Sequence, residues 1–244
     1  MTRQKNRKLL LIVSFLFFPV TLYYFSPVLI INAGLEGVIN GSFIVFTAMI
    51  ISGFFFGRVF CAWLCPAGGL QECTALVNDK APKQGWRNYI KYGIWVIWIM
   101  SVIACYASGR QNLKLDFLYK TEMGISVSNI YGYIVYYGIL FLILILSLFA
   151  GKRAFCHYIC WMAPFMLIGI KIRSLLHMPG LHIAVDDKKC ISCNQCSEVC
   201  PMCINAAHLA LHGKSDNLEC IQCGACVDIC RPKAIVFRMR SRVK

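Results

Sequence analysis

The sequence predicts an α-helical membrane protein with four transmembrane helices, followed by a small, cysteine-rich α+β domain at its C-terminal end. Three observations carry that expectation. Of the 244 residues, 58% are hydrophobic, well above the roughly 45–50% of a soluble domain. Four charge-free stretches are long enough for a helix to cross about 30 Å of hydrocarbon, which takes roughly 20 residues. Eight of the 15 cysteines fall into two compact runs between Cys190 and Cys230, with metal-ligand spacing.

The chain begins with a basic run, Met1–Lys8, which leads into an apolar stretch longer than a secretory leader core, with no small-residue cleavage site at the usual distance. It reads as a retained anchor. The four spans are expected near residues 9–26, 38–57, 90–109 and 128–150. Pro19 should kink the first, and Pro27 should end it near Phe25, because proline lacks the helical donor and restricts the residue before it. A fifth apolar stretch, Ala154–Ile170, is expected to be re-entrant or interfacial, since a crossing there would export the cysteine-rich tail.

Lys and Arg orient the bundle. Four precede the first span, none lies between the first and second, and five run from Arg58 to Lys91. Three lie between the third and fourth spans and 13 follow the fourth. The excess marks the cytoplasmic loops, so both termini are expected in the cytoplasm. The formal net charge of +14 is thereby topological. Its spread over span ends, rather than one face, argues against nucleic acid. The spans contain no Asp or Glu that would serve a proton pump and no facing histidines for haem.

A weak internal repeat follows the second and fourth spans. Gly57-Arg58-Val59-Phe60-Cys61-Ala62-Trp63-Leu64-Cys65 matches Gly151-Lys152-Arg153-Ala154-Phe155-Cys156-His157-Tyr158-Ile159-Cys160, with one inserted residue. Each unit is a helical hairpin followed by Phe-Cys-x₃-Cys. Because both enter the membrane from the same side, an axis along the membrane normal should relate them and bring the four cysteines to one depth.

Two domains follow from this composition: a membrane domain over 1–179 and a soluble domain over 180–244. About 65 residues bury little core, so metal links must supply much of the stability of the second. Cys190-x₂-Cys193-x₂-Cys196-x₃-Cys200-Pro201 is followed by Cys220-x₂-Cys223-x₂-Cys226-x₃-Cys230. This is the bacterial two-cluster 4Fe-4S spacing, in which the fourth cysteine of each run reaches the other cluster. Cluster 1 is expected on Cys190, Cys193, Cys196 and Cys230, and cluster 2 on Cys220, Cys223, Cys226 and Cys200. Zinc needs only four ligands and tolerates wider gaps, which a doubled run of eight does not match. Leu181–Val185 is expected to pair with Ile235–Phe237 as the short sheet of a two-cluster ferredoxin.

Cys61, Cys65, Cys156 and Cys160 sit in pairs whose spacing places both sulfurs on one helical face or around one turn. Pro66 suits the first position of a helix, which sets Cys65 at an N-terminus that favours a thiolate. Two readings stay open: the four bind a third metal centre, or they are packing thiols or a reversible disulfide pair. Cys73 and Cys105 are expected to be packed residues, whereas His157 and Trp161 either line a quinone pocket or anchor at the interface.

Taken together, the spans, the Cys61–Pro66 motif, its second copy and the eight-cysteine module resemble the NapH/NosR-like membrane polyferredoxins. The second motif departs from the pattern, with Trp161 where a proline is expected after Cys160. The resemblance implies a multi-pass protein of the prokaryotic inner membrane. It would pass electrons between a quinone pool or membrane partner and a redox protein. Other functions open to it are metal handling through the Cys-x₃-Cys pairs, by copper reduction or cluster delivery, and redox sensing. No glycine-rich nucleotide loop or nucleophile–base arrangement marks a self-contained enzyme, so an electron carrier or an oxidoreductase subunit is expected.

Overall fold

The computed structural model describes residues 2–109, 114–206 and 217–240. The chain is mostly helical. Helix α1 (Thr2–Leu16) is followed by α2 (Phe18–Thr21) and a 3-10 turn, Leu22–Phe25, bent from α1 by 60°. Pro19 lies in the first turn of α2, so the expected kink falls where the proline's missing donor costs least. Ser26 then caps α3 (Pro27–Glu36) by accepting from the Leu29 amide, with Pro27 at the first helical position.

After strand β1 (Val38–Asn40), the Asn40 side chain caps α4 (Gly41–Phe56). Short α5 (Val59–Trp63) and α6 (Pro66–Thr74) carry the first cysteine motif. Helix α7 (Ile90–Ser108), preceded by a 3-10 turn, runs toward β2 (Lys114–Asp116), and α8 (Ile130–Ala150) is capped by Asn129. The second motif occupies α9 (Ala154–Tyr158) and α10 (Ala163–Leu175). The Ala154–Ile170 stretch is thus broken between two helices, the longer of 13 residues, too few for a crossing.

Among the described residues, two helices are long and apolar enough to cross a membrane, Trp86–Ser108 and Ile130–Ala150, and the bent pair Thr2–Leu16 with Phe18–Phe25 makes a third if counted as one span. The second expected span is α4, with 16 residues, which at about 1.5 Å per residue reach about 24 Å. α7 and α8 present large apolar side chains outward, Phe149 being 85% exposed and Ile97 72%, as lipid-facing helices must. α10 packs closely on α4, where Gly53 meets the Met166 backbone and Gly169 meets the Ile50 carbonyl. Small residues let backbones approach in this way.

The bundle has two distinct ends. At one, β1 pairs in parallel with β2, Val38 opposite Lys114 and Asn40 opposite Asp116, joining the connections after α3 and α7. At the other end lie both cysteine motifs, the start of α1 and the cysteine-rich segment. There β3 (Gly180–Val185) pairs antiparallel with β4 (Ile235–Arg240), Ile183 opposite Phe237 and Val185 opposite Ile235. The pairing of these two segments is the one expected from the sequence. The N-terminal helix is tied to the same end: Arg3 bonds Asp228, and Gln4 donates to the Cys223 carbonyl at 3.0 Å.

Candidate functional site

The two cysteine motifs fold alike. Gly57 ends α4 at φ +66° and Gly151 ends α8 at φ +111°, conformations that a side chain would resist. A side chain at Gly57 would also strike Gln222, 2.6 Å from the position of an added Cβ. Each motif then makes one short helix closed by two bonds to a single carbonyl. The Phe60 oxygen accepts from Leu64 at 2.9 Å and Cys65 at 3.0 Å, and the Phe155 oxygen from Ile159 at 3.1 Å and Cys160 at 3.0 Å. Cys65 stands at the N-cap of α6, ahead of Pro66. In the second copy the helix starts three residues after Cys160, with Pro164 in its first turn. The proline missing after Cys160 is displaced along with the helix start.

Cys61, Cys65, Cys156 and Cys160 are each 4% exposed or less and share one core. They lie within electrostatic range of one another. Two further contacts cross between the copies: Gln71 Nε2 lies 3.2 Å from Cys156 Sγ, and Met166 Sδ lies 3.9 Å from Cys61 Sγ. Each copy also places a buried arginine three residues ahead of its first cysteine. Arg58 pairs with Glu219 at 2.9 Å, and Glu219 also accepts from Lys91 at 2.6 Å. Arg153 pairs with Glu72 at 2.7 Å and donates to the Cys61 carbonyl, while Arg7 holds the same Glu72 at 2.9 Å. Burial alone would raise the Glu72 carboxyl, but Arg153 and Arg7 more than offset it and hold it at about 2. Glu219 is likewise lowered against burial by Arg58 and Lys91.

The cysteine-rich segment gathers its thiols in two places. Cys190, Cys193, Cys196 and Cys230 all line one small cavity, with Pro232, Ala234 and Ile235 also on its wall. Cys200, Cys220 and Cys223 bear electrostatically on Cys226, and burial raises the Cys226 thiol further. Burial pushes Cys220 up to about 12. Gly224 adopts φ +76° at the head of the helical turn Ala225–Ile229, where an added Cβ would come within 3.0 Å of Phe237 and 3.2 Å of Arg3.

Among the described residues no three His, Cys, Asp or Glu side chains converge on a point that would suit a single metal ion. Thiols set around a volume, with no carboxylate or imidazole lining the cavity, fit the corners of an iron–sulfur cube rather than one zinc ion. The residues present fit the group.

Four of the C-terminal cysteines thus line one cavity, Cys226 lies within electrostatic range of Cys223, Cys220, Cys200 and also Cys196, and the four cysteines of the doubled motif share one core. His157 departs from the interfacial position, being 1% exposed. Trp161 donates to the Phe25 carbonyl at 3.0 Å and lines a small apolar cavity with Pro66, Ala67 and Phe155. Cys73 is exposed rather than packed, and Cys105 is half-buried. Sequence reasoning missed Gln71, Met166 and the arginine–glutamate pairs. The signal lay in the repeat: Arg58 and Arg153 stand at the same offset from Cys61 and Cys156, as do Gln71 and Met166 from Cys65 and Cys160.

Comparisons with known proteins agree with this geometry. A family model described as "4Fe-4S binding domain" matches residues 39–84 and again 133–178, and one described as "4Fe-4S dicluster domain" matches 182–231. An uncharacterized protein of Methanocaldococcus jannaschii is 29% identical over 63% of this chain and 55% of its own length. The ferredoxin-type protein NapH of Haemophilus influenzae is 26% identical over 64% of this chain and 52% of its own. The methylamine utilization ferredoxin-type protein MauN of Methylobacillus flagellatus is 23% identical over 68% and 59%. The chain therefore spans little more than half the length of these relatives. No solved structure matches it. The doubled motif, the eight-cysteine segment and these relatives together support a NapH-like polyferredoxin family for this chain.

Proposed function

We propose that this protein carries electrons between a quinone pool or other membrane donor and a redox protein partner, through two ferredoxin clusters and a third centre at the membrane surface. Cys190, Cys193, Cys196 and Cys230 would hold one 4Fe-4S cluster, and Cys220, Cys223, Cys226 and Cys200 the other. Cys61, Cys65, Cys156 and Cys160 would hold the third centre. When bound, such clusters supply one-electron oxidation and reduction. The chain crosses the membrane four times on this reading, with α4 as the short span and both termini in the cytoplasm, where the basic loops concentrate. Residues 1–179 form the membrane domain and 180–244 the soluble one.

One observation carries the reading: the four membrane thiols lie in the same buried core as Met202, Ile221 and Cys223 of the ferredoxin segment. Apolar packing there excludes water, and Arg58 and Arg153 supply buried positive charge beside thiolates that must be deprotonated to bind metal. The cavity between Phe18, Val135, Ile139 and Trp161 reaches Pro66 and Ala67, next to Cys65. A lipid-soluble quinol would approach the thiols from that side. The test is anaerobic purification of the full chain with iron, sulfide and copper counted per protein and reduced-state EPR recorded. About twelve irons and twelve sulfides are expected for three clusters.

A second reading, copper reduction or delivery, is favoured by the Met166 thioether beside Cys61, since thiolate and thioether together suit Cu(I). Stoichiometric copper with iron for only two clusters would establish it instead.

A further inference from the structure

The two copies of the cysteine motif cross-brace each other, but with unlike atoms. Gln71 stands six residues after Cys65 and reaches Cys156 of the other copy; Met166 stands six residues after Cys160 and reaches Cys61. Both side chains are 0% exposed. The amide of Gln71 has its orientation fixed within its own helix, because Nε2 also donates to the Ala67 carbonyl at 3.0 Å. Turned over, the amide would set two oxygens against each other, so the nitrogen faces the sulfur. Its Oε1 is buried with no hydrogen-bond partner among the described residues. Leaving that oxygen unpaired carries a cost that a leucine or methionine at the same place would avoid. Packing therefore does not account for a glutamine at 71, whereas a donor directed at Cys156 does.

We propose that Gln71 sets the reduction potential of the centre held by Cys61, Cys65, Cys156 and Cys160, by donating a hydrogen bond to the Cys156 sulfur that Met166 cannot offer to Cys61. The inference rests on the reading of these four cysteines as a third centre. On reduction the centre gains one electron and one negative charge, spread partly over its thiolate sulfurs, and no proton is transferred. An N–H directed at a sulfur stabilises that added charge more than it stabilises the oxidised state, so the potential rises. Met166 packs against Cys61 as a polarizable, donor-free atom, so on that side the Arg58 guanidinium, and not the residue matching Gln71, faces the sulfur.

The experiment is an EPR-monitored redox titration of the full chain in nanodiscs, the third signal being identified by its loss in Cys65→Ser. At the potential where the wild-type centre is half reduced, Gln71→Met should lower the reduced-to-oxidised ratio about tenfold, as expected for a charge-assisted hydrogen bond. Met166→Gln should shift the ratio the other way, and the double variant, which exchanges the two side chains, should return it close to wild type. That rescue separates a donor effect from a packing defect, and Met166→Gln retains the test if Gln71→Met fails to assemble. Midpoints unchanged within twofold in both single variants, with the third signal present, would overturn the inference alone. A wild-type protein with no third signal would overturn the reading on which it stands.

Discussion

Arg58 Nη1 lies 2.9 Å from Glu219 Oε2, joining the residue three places ahead of Cys61 to the one directly ahead of Cys220. Lys91, at the foot of α7, holds the other carboxylate oxygen at 2.6 Å. One glutamate thus fixes the ferredoxin loop to two elements of the membrane domain. Glu219→Gln leaves both cations buried without a counter-charge, which costs about 3–5 kcal/mol when a buried pair is broken. The expected outcome is faster amide exchange and proteolysis across residues 217–230, with the total iron content little changed. Unaltered protection there would mean that apolar packing alone docks the domain.

Glu72 is the corresponding anchor for the other arginine, and it predicts a pH dependence. Its carboxyl, held at about 2 in the fold against about 4.3 in an unfolded chain, contributes stability that is full above the unfolded value and is lost as pH falls through the folded one. The difference in unfolding stability between wild type and Glu72→Gln should therefore be on the order of 3 kcal/mol near neutral pH. It should shrink between about pH 4.5 and pH 2. A difference that stayed constant over that window would place the effect in packing rather than charge.

The crossed ligand sets proposed above predict an asymmetric defect. Cys200 closes the first run in sequence but bears on Cys226, Cys220 and Cys223 of the second. Cys200→Ser should impair the cluster on Cys220, Cys223 and Cys226 more than the one on Cys190, Cys193 and Cys196. Reduced-state EPR of the variant checks this, and selective loss of the nearer cluster would contradict it.

The apolar cavity offers a steric test. Val135 lines it from α8 and is itself half exposed on the lipid side, so a larger side chain there narrows the entrance without crowding the core. Val135→Trp should slow cluster reduction by a lipid-soluble quinol analogue several-fold, while reduction by dithionite in solution stays at the wild-type rate. Equal slowing with both reductants would point to a folding defect instead.

Much of this architecture was legible in the sequence because periodicity and spacing act locally. The eight-cysteine runs fix loop geometry, Pro66 marks a helix start, and the pairing of Leu181–Val185 with Ile235–Phe237 follows from two short β-prone segments that flank them. Span length was less legible. α4 has only 16 residues, because Asn40 caps it after the apolar stretch has begun and Gly57 ends it. The cross-bracing of Gln71 and Met166 was hidden, since it depends on how one repeat meets the other, and neither residue stands out on its own helix. His157 was misplaced for a related reason: its burial depends on how α9 packs against α7 and α8, long-range contacts that adjacency to Cys156 does not reveal.

The central claim is that electrons reach the ferredoxin clusters through the four membrane cysteines. The most direct measurement is stopped-flow reduction of those clusters by quinol in nanodiscs, comparing wild type with Cys65→Ser. The account predicts that the variant retains about eight irons in its two ferredoxin clusters but is reduced by quinol at least tenfold more slowly, with the rate from dithionite unchanged. Reduction by quinol at the wild-type rate, in the variant and in the fourfold Cys61, Cys65, Cys156 and Cys160 serine protein alike, would contradict it and make these cysteines structural.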